Sequence, residues 1–350
     1  MDECFDIAIA VDVMGADSGV GAFVRGIVQA IKNFPNELDR IVLVGNEDEV
    51  KGAARKNRIE KFIKKVDVIH TTQEIGMEDR PMSALRSKKD SSMFRAIELV
   101  RDGHADGMLS CGNTGCLMAG GTIRLRTMPG IDRPALCTMI PTPDHTFALI
   151  DVGANPSSTA KNLVHNAVLG SHYFKTVTGI ENPRVGLLTI GTEEGKGSDL
   201  ICEAHRLLRL ASHEINYSGP IEGFQLFEDA VDVVVCDGLV GNILLKSIEA
   251  MAKTVKAYIY KEIKKNPLRM LGAVLAGGAF SAIKRRLNPD KFSGAPFLGL
   301  NGTIVKSHGA SSAEGISNAL RLTCKTARAS KFGNLCEIVE RVNVAISQQV

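Results

Sequence analysis

The feature that most restricts what this chain can fold into is a unit that recurs along it: a short apolar run, a turn of glycine and small polar residues, then a helix-patterned stretch. The unit opens at Phe5 to Val13, where I-A-I-A-V-D-V runs into M-G-A-D-S-G-V-G and a helix patterned by Phe23, Ile27, Ala30 and Ile31. Strand-like runs at Arg40 to Gly45 and Val66 to Thr71 flank a helix around Asp48 to Asn57. The rhythm returns at Gly107 to Ala119, at Val185 to Ala211 and at Val231 to Lys246. Strands alternating with helices specify a parallel sheet covered on both faces, the doubly wound α/β arrangement. Pro134 to Ile140 and Thr146 to Val152, joined by P-T-P-D, read as a hairpin that extends the sheet. A chain of 350 residues has room for one large domain or two ordinary ones.

In such sheets ligands bind at the carboxyl ends of strands, and four or five strand ends here carry small polar residues, which together predict a cleft. The run Val185, Leu187, Leu188 and Ile190 predicts a buried parallel strand feeding the turn G-T-E-E-G-K-G, with Gly191 at its start and Lys196 inside it. The spacing is not that of a nucleotide P-loop, and Glu193 and Glu194 would repel a triphosphate. The turn is either an anion site at a helix start or a flexible surface turn with a solvated lysine. Arg86 to Val100 offers a second anion site: Lys88 and Lys89 precede a helix start at Ser91 and Ser92, capped by Asp90 or Ser91. An ordinary capped surface helix accounts for it equally. At Gly112, Asn113 and Thr114 the small residues permit close backbone approach, and the two polar side chains are able to donate to a ligand. Asp151 to Pro156 (D-V-G-A-N-P) and Asp237, Gly238, Gly241 and Asn242 again place polar groups after strands. Asp12 and Asp17 flank the first turn, as caps or as ligand contacts, and the glycines there do not spell a dinucleotide fingerprint. His308, beside Gly309 at a loop after a strand, is a candidate substrate or phosphate contact, with a structural hydrogen bonder as the plainer alternative.

The eight cysteines are scattered without a C-x-x-C pair, so they read as reduced packing residues; no disulfide frame, metal cluster or cysteine nucleophile is expected. The first nine residues carry acids where a signal peptide has bases, and no apolar run is long enough to span a bilayer. Charge is uneven: Lys261 to Lys291 holds eight basic residues and two acids, while the whole chain is only +3, so the remainder is net acidic. Within this basic island Leu271, Val274, Leu275 and Phe280 suit either a segment lying in an anionic lipid interface or a dimer or core helix. We expect residues 249–291 to form a helical hairpin inserted in a single domain spanning 1–350. Interleaved aromatics are lacking there, which argues against nucleic acid.

Read in order, V-D-x-M-G-x-D, K-K-D-S-S-M, G-N-T-G with L-M-A, D-V-G-A-N, G-T-E-E-G-K-G, V-C-D-G-x-V-G-N and G-A-P-x-L-G-L-N-G with K-S-H-G resemble the bacterial phosphate acyltransferases, the PlsX-type acyl-acyl carrier protein:phosphate acyltransferase family. The resemblance covers roughly Ile7 to Val344. It implies a three-layer α/β/α Rossmann-like fold akin to isocitrate dehydrogenase and phosphotransacetylase, and a homodimer. It also implies a cytoplasmic enzyme peripherally bound to the inner face of the cell membrane, in phospholipid synthesis. The implied reaction is acyl-acyl carrier protein plus inorganic phosphate giving acyl phosphate and free carrier protein, without cofactor. A membrane-bound glycerol-3-phosphate acyltransferase is the implied downstream partner. Lys196 and Asn242 match positions implicated in the family's active site. Ala16 and Ser18 depart from the family's first motif, where glycine and histidine are usual. Rival readings are a related phosphotransacylase using acyl-CoA, a metal-dependent dehydrogenase on the same fold, and a non-catalytic membrane scaffold for lipid enzymes.

Overall fold

A computed structural model describes residues 7–15, 19–57, 66–193, 195–286, 288–330 and 334–348, without the side chains of residues 284–286 and 289. Asp17, Glu194 and the two departures at Ala16 and Ser18 lie outside the described residues.

The chain builds β1 (Ala8–Asp12), α1 (Gly19–Asn33), β2 (Arg40–Gly45), α2 (Glu47–Asn57) and β3 (Val66–His70). Helices α3 (Pro81–Ser87) and α4 (Ser92–Arg101) precede β4 (Gly107–Ser110) and α5 (Thr114–Arg124). The predicted hairpin is β5 (Ala135–Pro141) with β6 (Thr146–Ile150), followed by α6 (Ala160–Thr178). Then come β7 (Arg184–Thr189), α7 (Asp199–Leu210), β8 (Asn216–Glu222), β9 (Val233–Val235) and α8 (Gly238–Lys264). The chain continues through α9 (Pro267–Leu275), α10 (Gly277–Arg286), β10 (Ala295–Leu298), β11 (Thr303–Lys306), α11 (Ala313–Ser330) and α12 (Leu335–Ser347).

Among the described residues, eleven strands join one mixed sheet in the order β3-β2-β1-β4-β11-β10-β5-β6-β9-β7-β8. Side chains alternate between its faces, as the period of a strand requires: Ala10 joins the core beneath α4 and α5, while Ile9 and Val11 join the core beneath α1 and α11. Along β6, Phe147 and Leu149 face the first core, and Ala148 and Ile150 face α6, α7 and α12. Helices on both faces make the three-layer α/β/α sandwich that the alternation of elements specifies.

One aspect of the sheet was not legible in the strand runs. The strands β1 to β4 and β11 are mutually parallel, but β10 is antiparallel to both β11 and β5, and β5 is antiparallel to β6. The strands β6, β9, β7 and β8 are again parallel, now running the other way. The polar strand ends therefore do not converge on one edge. They divide into an amino-half group, after β1, β4 and β11, and a carboxy-half group, after β6, β9 and β7.

Two boundaries also differ from expectation. Ile190 was grouped with the buried run, yet it is 81% exposed because β7 ends at Thr189. A single unbroken α8 covers both the turn-following helix at Gly238 and the helix expected from Glu249. Only Gly238 and Gly241 of α8 are fully buried, Leu244, Leu245 and Ile248 pack half-buried against the core, and from Met251 to Tyr260 every residue is exposed, so the outer part of the helix stands away from the sheet. The apolar residues that follow are also outside the core: Leu271, Val274 and Leu275 are 58%, 75% and 81% exposed and Phe280 is 40%. This excludes the core-helix reading for the isolated chain. Glu262 pairs with both Lys265 and Arg269 where α8 gives way to α9. Among the described residues no helix is long and apolar enough to cross a membrane.

Candidate active site

The amino-half group is closed from within. Asp12, 1% exposed at the end of β1, accepts from the Ser92 hydroxyl at 2.6 Å and the Ser110 hydroxyl at 2.7 Å. Burial pushes its carboxyl up to about 6, against these two hydrogen bonds and one from the Met14 N–H. Ser91 caps α4 by accepting from the Phe94 N–H, so the helix start expected to hold an anion is already served. Lys88 donates to the Asp79 carboxylate at 2.5 Å and to the Glu74 carbonyl at 2.8 Å, while Lys89 is exposed. That ion pair holds Asp79 below the usual carboxylate range. Asn113 caps α5 through its oxygen and gives its NH2 group to the carbonyls of Gly76, Met77 and Asp79, with Thr114 next to it opening the helix. Gly112 donates to Ser110. The His308 ring, a candidate phosphate contact, accepts from the Ala310 N–H through Nδ1 within its own loop. Cys111 and Cys116 are fully buried, and burial pushes both thiols up, Cys111 to about 12, as suits packing residues.

The carboxy-half group is built on three adjacent strands, β6, β9 and β7, with Ile150 beside Val235 and Val235 beside Leu187. At one edge they release three segments side by side: the turn after Ile150, the start of α8, and the glycine turn with Lys196. In the last of these, Lys196 is exposed and its stem lies over the buried Gly191, where an added Cβ would meet the lysine Cγ at 3.3 Å. The helix that follows, α7, begins at Ser198 without a side-chain capping bond. Its first-turn N–H groups and positive dipole end thus stand three residues from a lysine, shared with the exposed Asp199. The start of α8 differs. Asp237 caps it by accepting from Leu239 and Val240, and Asn155 accepts from Gly238, so its amides are spent and its exposed Asn242 side chain is what it presents. Asn242 lies against Gly153, and Gly241 sits so close to Asp151 that a Cβ there would be 1.9 Å from the Asp151 carbonyl oxygen.

Within the polar stretch Asp151 to Pro156 the sequence pattern alone does not set Asp151 or Asn155 apart. Asp151 is wholly buried, and burial pushes its carboxyl up against the pull of the backbone amides and the Asn155 side chain that bond it. The signal was present: an aspartate closing a strand and followed by a small-residue turn is how a side chain folds its own backbone around itself. The open start of α7 carries no such signal, since Ser198 is a favoured capping residue type and simply does not cap. Among the described residues no group of three or more histidine, cysteine, aspartate or glutamate side chains is placed to hold a metal.

The fold is similar to that of the phosphotransacetylases. The Streptococcus pyogenes enzyme superposes with a TM-score of 0.61 and that of Staphylococcus aureus with 0.58, each at 17% identity and over 92% of this chain and 94% of the other. The fold is also that of a 4-hydroxythreonine-4-phosphate dehydrogenase from Klebsiella pneumoniae, at a TM-score of 0.53 and 12% identity, over 92% of this chain and 100% of the other. The chain belongs to the fatty acid synthesis protein family, whose sequence model matches residues 7–332. A phosphate acyltransferase of Shewanella woodyi is 41% identical over 92% of this chain and 94% of its own. One of Clostridioides difficile is 37% identical over 96% and 97%. The chain is accordingly an enzyme of the transferase class.

Proposed function

We propose that this enzyme transfers a fatty acyl group from the thioester of acyl carrier protein to inorganic phosphate. A phosphate oxygen attacks the thioester carbonyl carbon, the C–S bond breaks, and the carrier's sulfur leaves as thiolate and takes up a proton. The products are acyl phosphate and free carrier protein. Phosphate is already a competent nucleophile, so no acyl-enzyme is required. The protein's task is to bring two anionic partners together and to stabilise the developing oxyanion. Lys196 and the uncapped start of α7 hold phosphate, and the Asn242 amide donates to the oxyanion. The observation that carries this reading is the release of the Lys196 turn and the Asn242 helix side by side from neighbouring parallel strands. The assay is direct: purified enzyme with acyl carrier thioester, with and without phosphate, following free thiol and trapping acyl phosphate as hydroxamate. Thiol release independent of phosphate would overturn the reading, and a preference for acyl-CoA over acyl carrier protein would reassign the donor.

The arm formed by α8, α9 and α10 supports a peripheral membrane site and a homodimer, placing a labile product beside a membrane-bound glycerol-3-phosphate acyltransferase. Leu271, Val274, Leu275 and Phe280 enter the lipid, and the basic residues around them meet anionic headgroups, each contributing on the order of 1 kcal/mol. Val274→Asp with Leu275→Asp abolishes flotation with anionic vesicles while soluble turnover persists. Undiminished flotation of a folded double variant would remove this segment from membrane binding.

A further inference from the structure

Asp151 makes no contact that the proposed chemistry uses, yet its carboxylate accepts five hydrogen bonds. Oδ1 takes the N–H groups of Leu136 at 3.2 Å, Gly153 at 3.0 Å and Ala154 at 2.8 Å. Oδ2 takes the Asn155 N–H at 2.8 Å and its side-chain NH2 at 2.9 Å. All of these donors belong to the 151–155 turn itself or to β5, so one buried anion fastens the turn into a unit and pins it to the sheet. The unit in turn seats α8. The Asn155 carbonyl accepts from Gly238 at 3.0 Å, the Asp151 carbonyl fills the space at Gly241, and Gly153 lies so that its Cβ position is 3.4 Å from the Asn242 Cβ.

We propose that Asp151 is a positioning residue for acyl transfer: it fixes the turn against which the Asn242 side chain is set, and it acts on turnover through Asn242. This rests on reading Asn242 as the oxyanion donor. Charge matters here as well as shape, because the amide of an asparagine would point an NH2 group at N–H donors that need an acceptor. A displacement of the order of 1 Å in a donor costs up to about 100-fold in rate.

The test is a double-mutant cycle on the full chain, measuring kcat and the KM for phosphate in wild type, Asp151→Asn, Asn242→Ala and the double variant. Asp151→Asn lowers kcat on the order of 10- to 100-fold with the phosphate KM little moved, and this loss disappears in the Asn242→Ala background. Equal losses in both backgrounds, with Asn242→Ala itself crippled, would overturn this proposal alone. Near-normal turnover of Asn242→Ala would overturn the oxyanion reading and this proposal with it. Should Asp151→Asn fail to fold by thermal melting, Gly153→Ala replaces it in the cycle. That residue is exposed and its φ is +125°, so the substitution disturbs the same turn and leaves the carboxylate in place. A loss of kcat that vanishes without Asn242 supports the proposal, and one that persists unchanged overturns it.

Discussion

Both ends of the sheet carry the same kinds of residue, yet they use them oppositely. After β3 and β4, Ser91, Ser92, Ser110, Asn113 and Lys88 all bond to other parts of the protein. After β7 and β9, Lys196 and Asn242 are exposed, and a helix beside them begins without a side-chain cap. Each end also has a wholly buried carboxylate, Asp12 at 1% and Asp151 at 0% exposure. Asp12 is bonded chiefly by hydroxyls that bridge different strands and helices, whereas Asp151 is bonded by the amides of its own turn. A polar group already saturated within the fold has nothing left for a ligand, so what separates a site from a joint is the state of its hydrogen bonds and not its residue types.

The comparison breaks first, and most sharply, at Lys196 and Asn242. Replacing either with alanine is expected to lower turnover about 100-fold or more, the usual cost of losing a preorganised donor, while circular dichroism and melting stay near wild type. Near-normal turnover in both would move the active site away from this end. The second effect is on stability and belongs to the other end. The Asp12 carboxyl lies at about 6 in the fold against an ordinary value of 3.8. A raised carboxyl binds its proton first in the native state, so the stabilisation this adds is absent at neutral pH. It grows as pH falls through about 6 and is complete below the unfolded value of about 4. A shift of about two units limits it to roughly 3 kcal/mol. Urea unfolding of wild type and Asp12→Asn at several pH values between 7 and 4 should show wild type gaining on the variant as pH falls, and parallel curves would refute it. The smallest effect is expected from Lys88→Ala with Lys89→Ala. The Lys88 charge is already engaged by Asp79, and a pair of this exposure is worth about 1 kcal/mol at most, so the phosphate KM should rise no more than about fivefold. A rise exceeding that of Lys196→Ala would bring phosphate back to the amino-half end.

Much of this was legible in the amino acids. Strand–turn–helix repetition gave away the doubly wound α/β arrangement, the hairpin at P-T-P-D appeared where expected, and of the two candidate caps, Asp90 and Ser91, it is Ser91 that caps. What was hidden follows from pairing. The direction of a strand is set by its neighbours, and A-P-F-L at β10 contains nothing that marks it as the strand where the sheet reverses. For that reason several polar strand ends read as one cleft when they form two groups. The length of α8 was also obscured, because the glycine turn at Gly238 marks one helix start and the strong helix formers from Glu249 read as another, although no break separates the two. Asp151 escaped notice for a different reason. An aspartate after a strand is common, and only its complete burial and its donors distinguish it.

The insertion of β11 between β4 and β10 has a consequence for how the molecule is made. The edge of β4 that β11 covers stays unpaired until Thr303–Lys306 has been synthesised, although β4 itself ends at Ser110. At a translation speed of some 5 to 20 residues per second that interval is about 10 to 40 seconds. Through it a nascent chain carries an open, apolar strand edge in what will become the middle of the sheet, a template for pairing with a neighbouring copy. A ribosome that stalls before the final fifty residues therefore releases not a trimmed enzyme but two half-sheets without the strand that joins them.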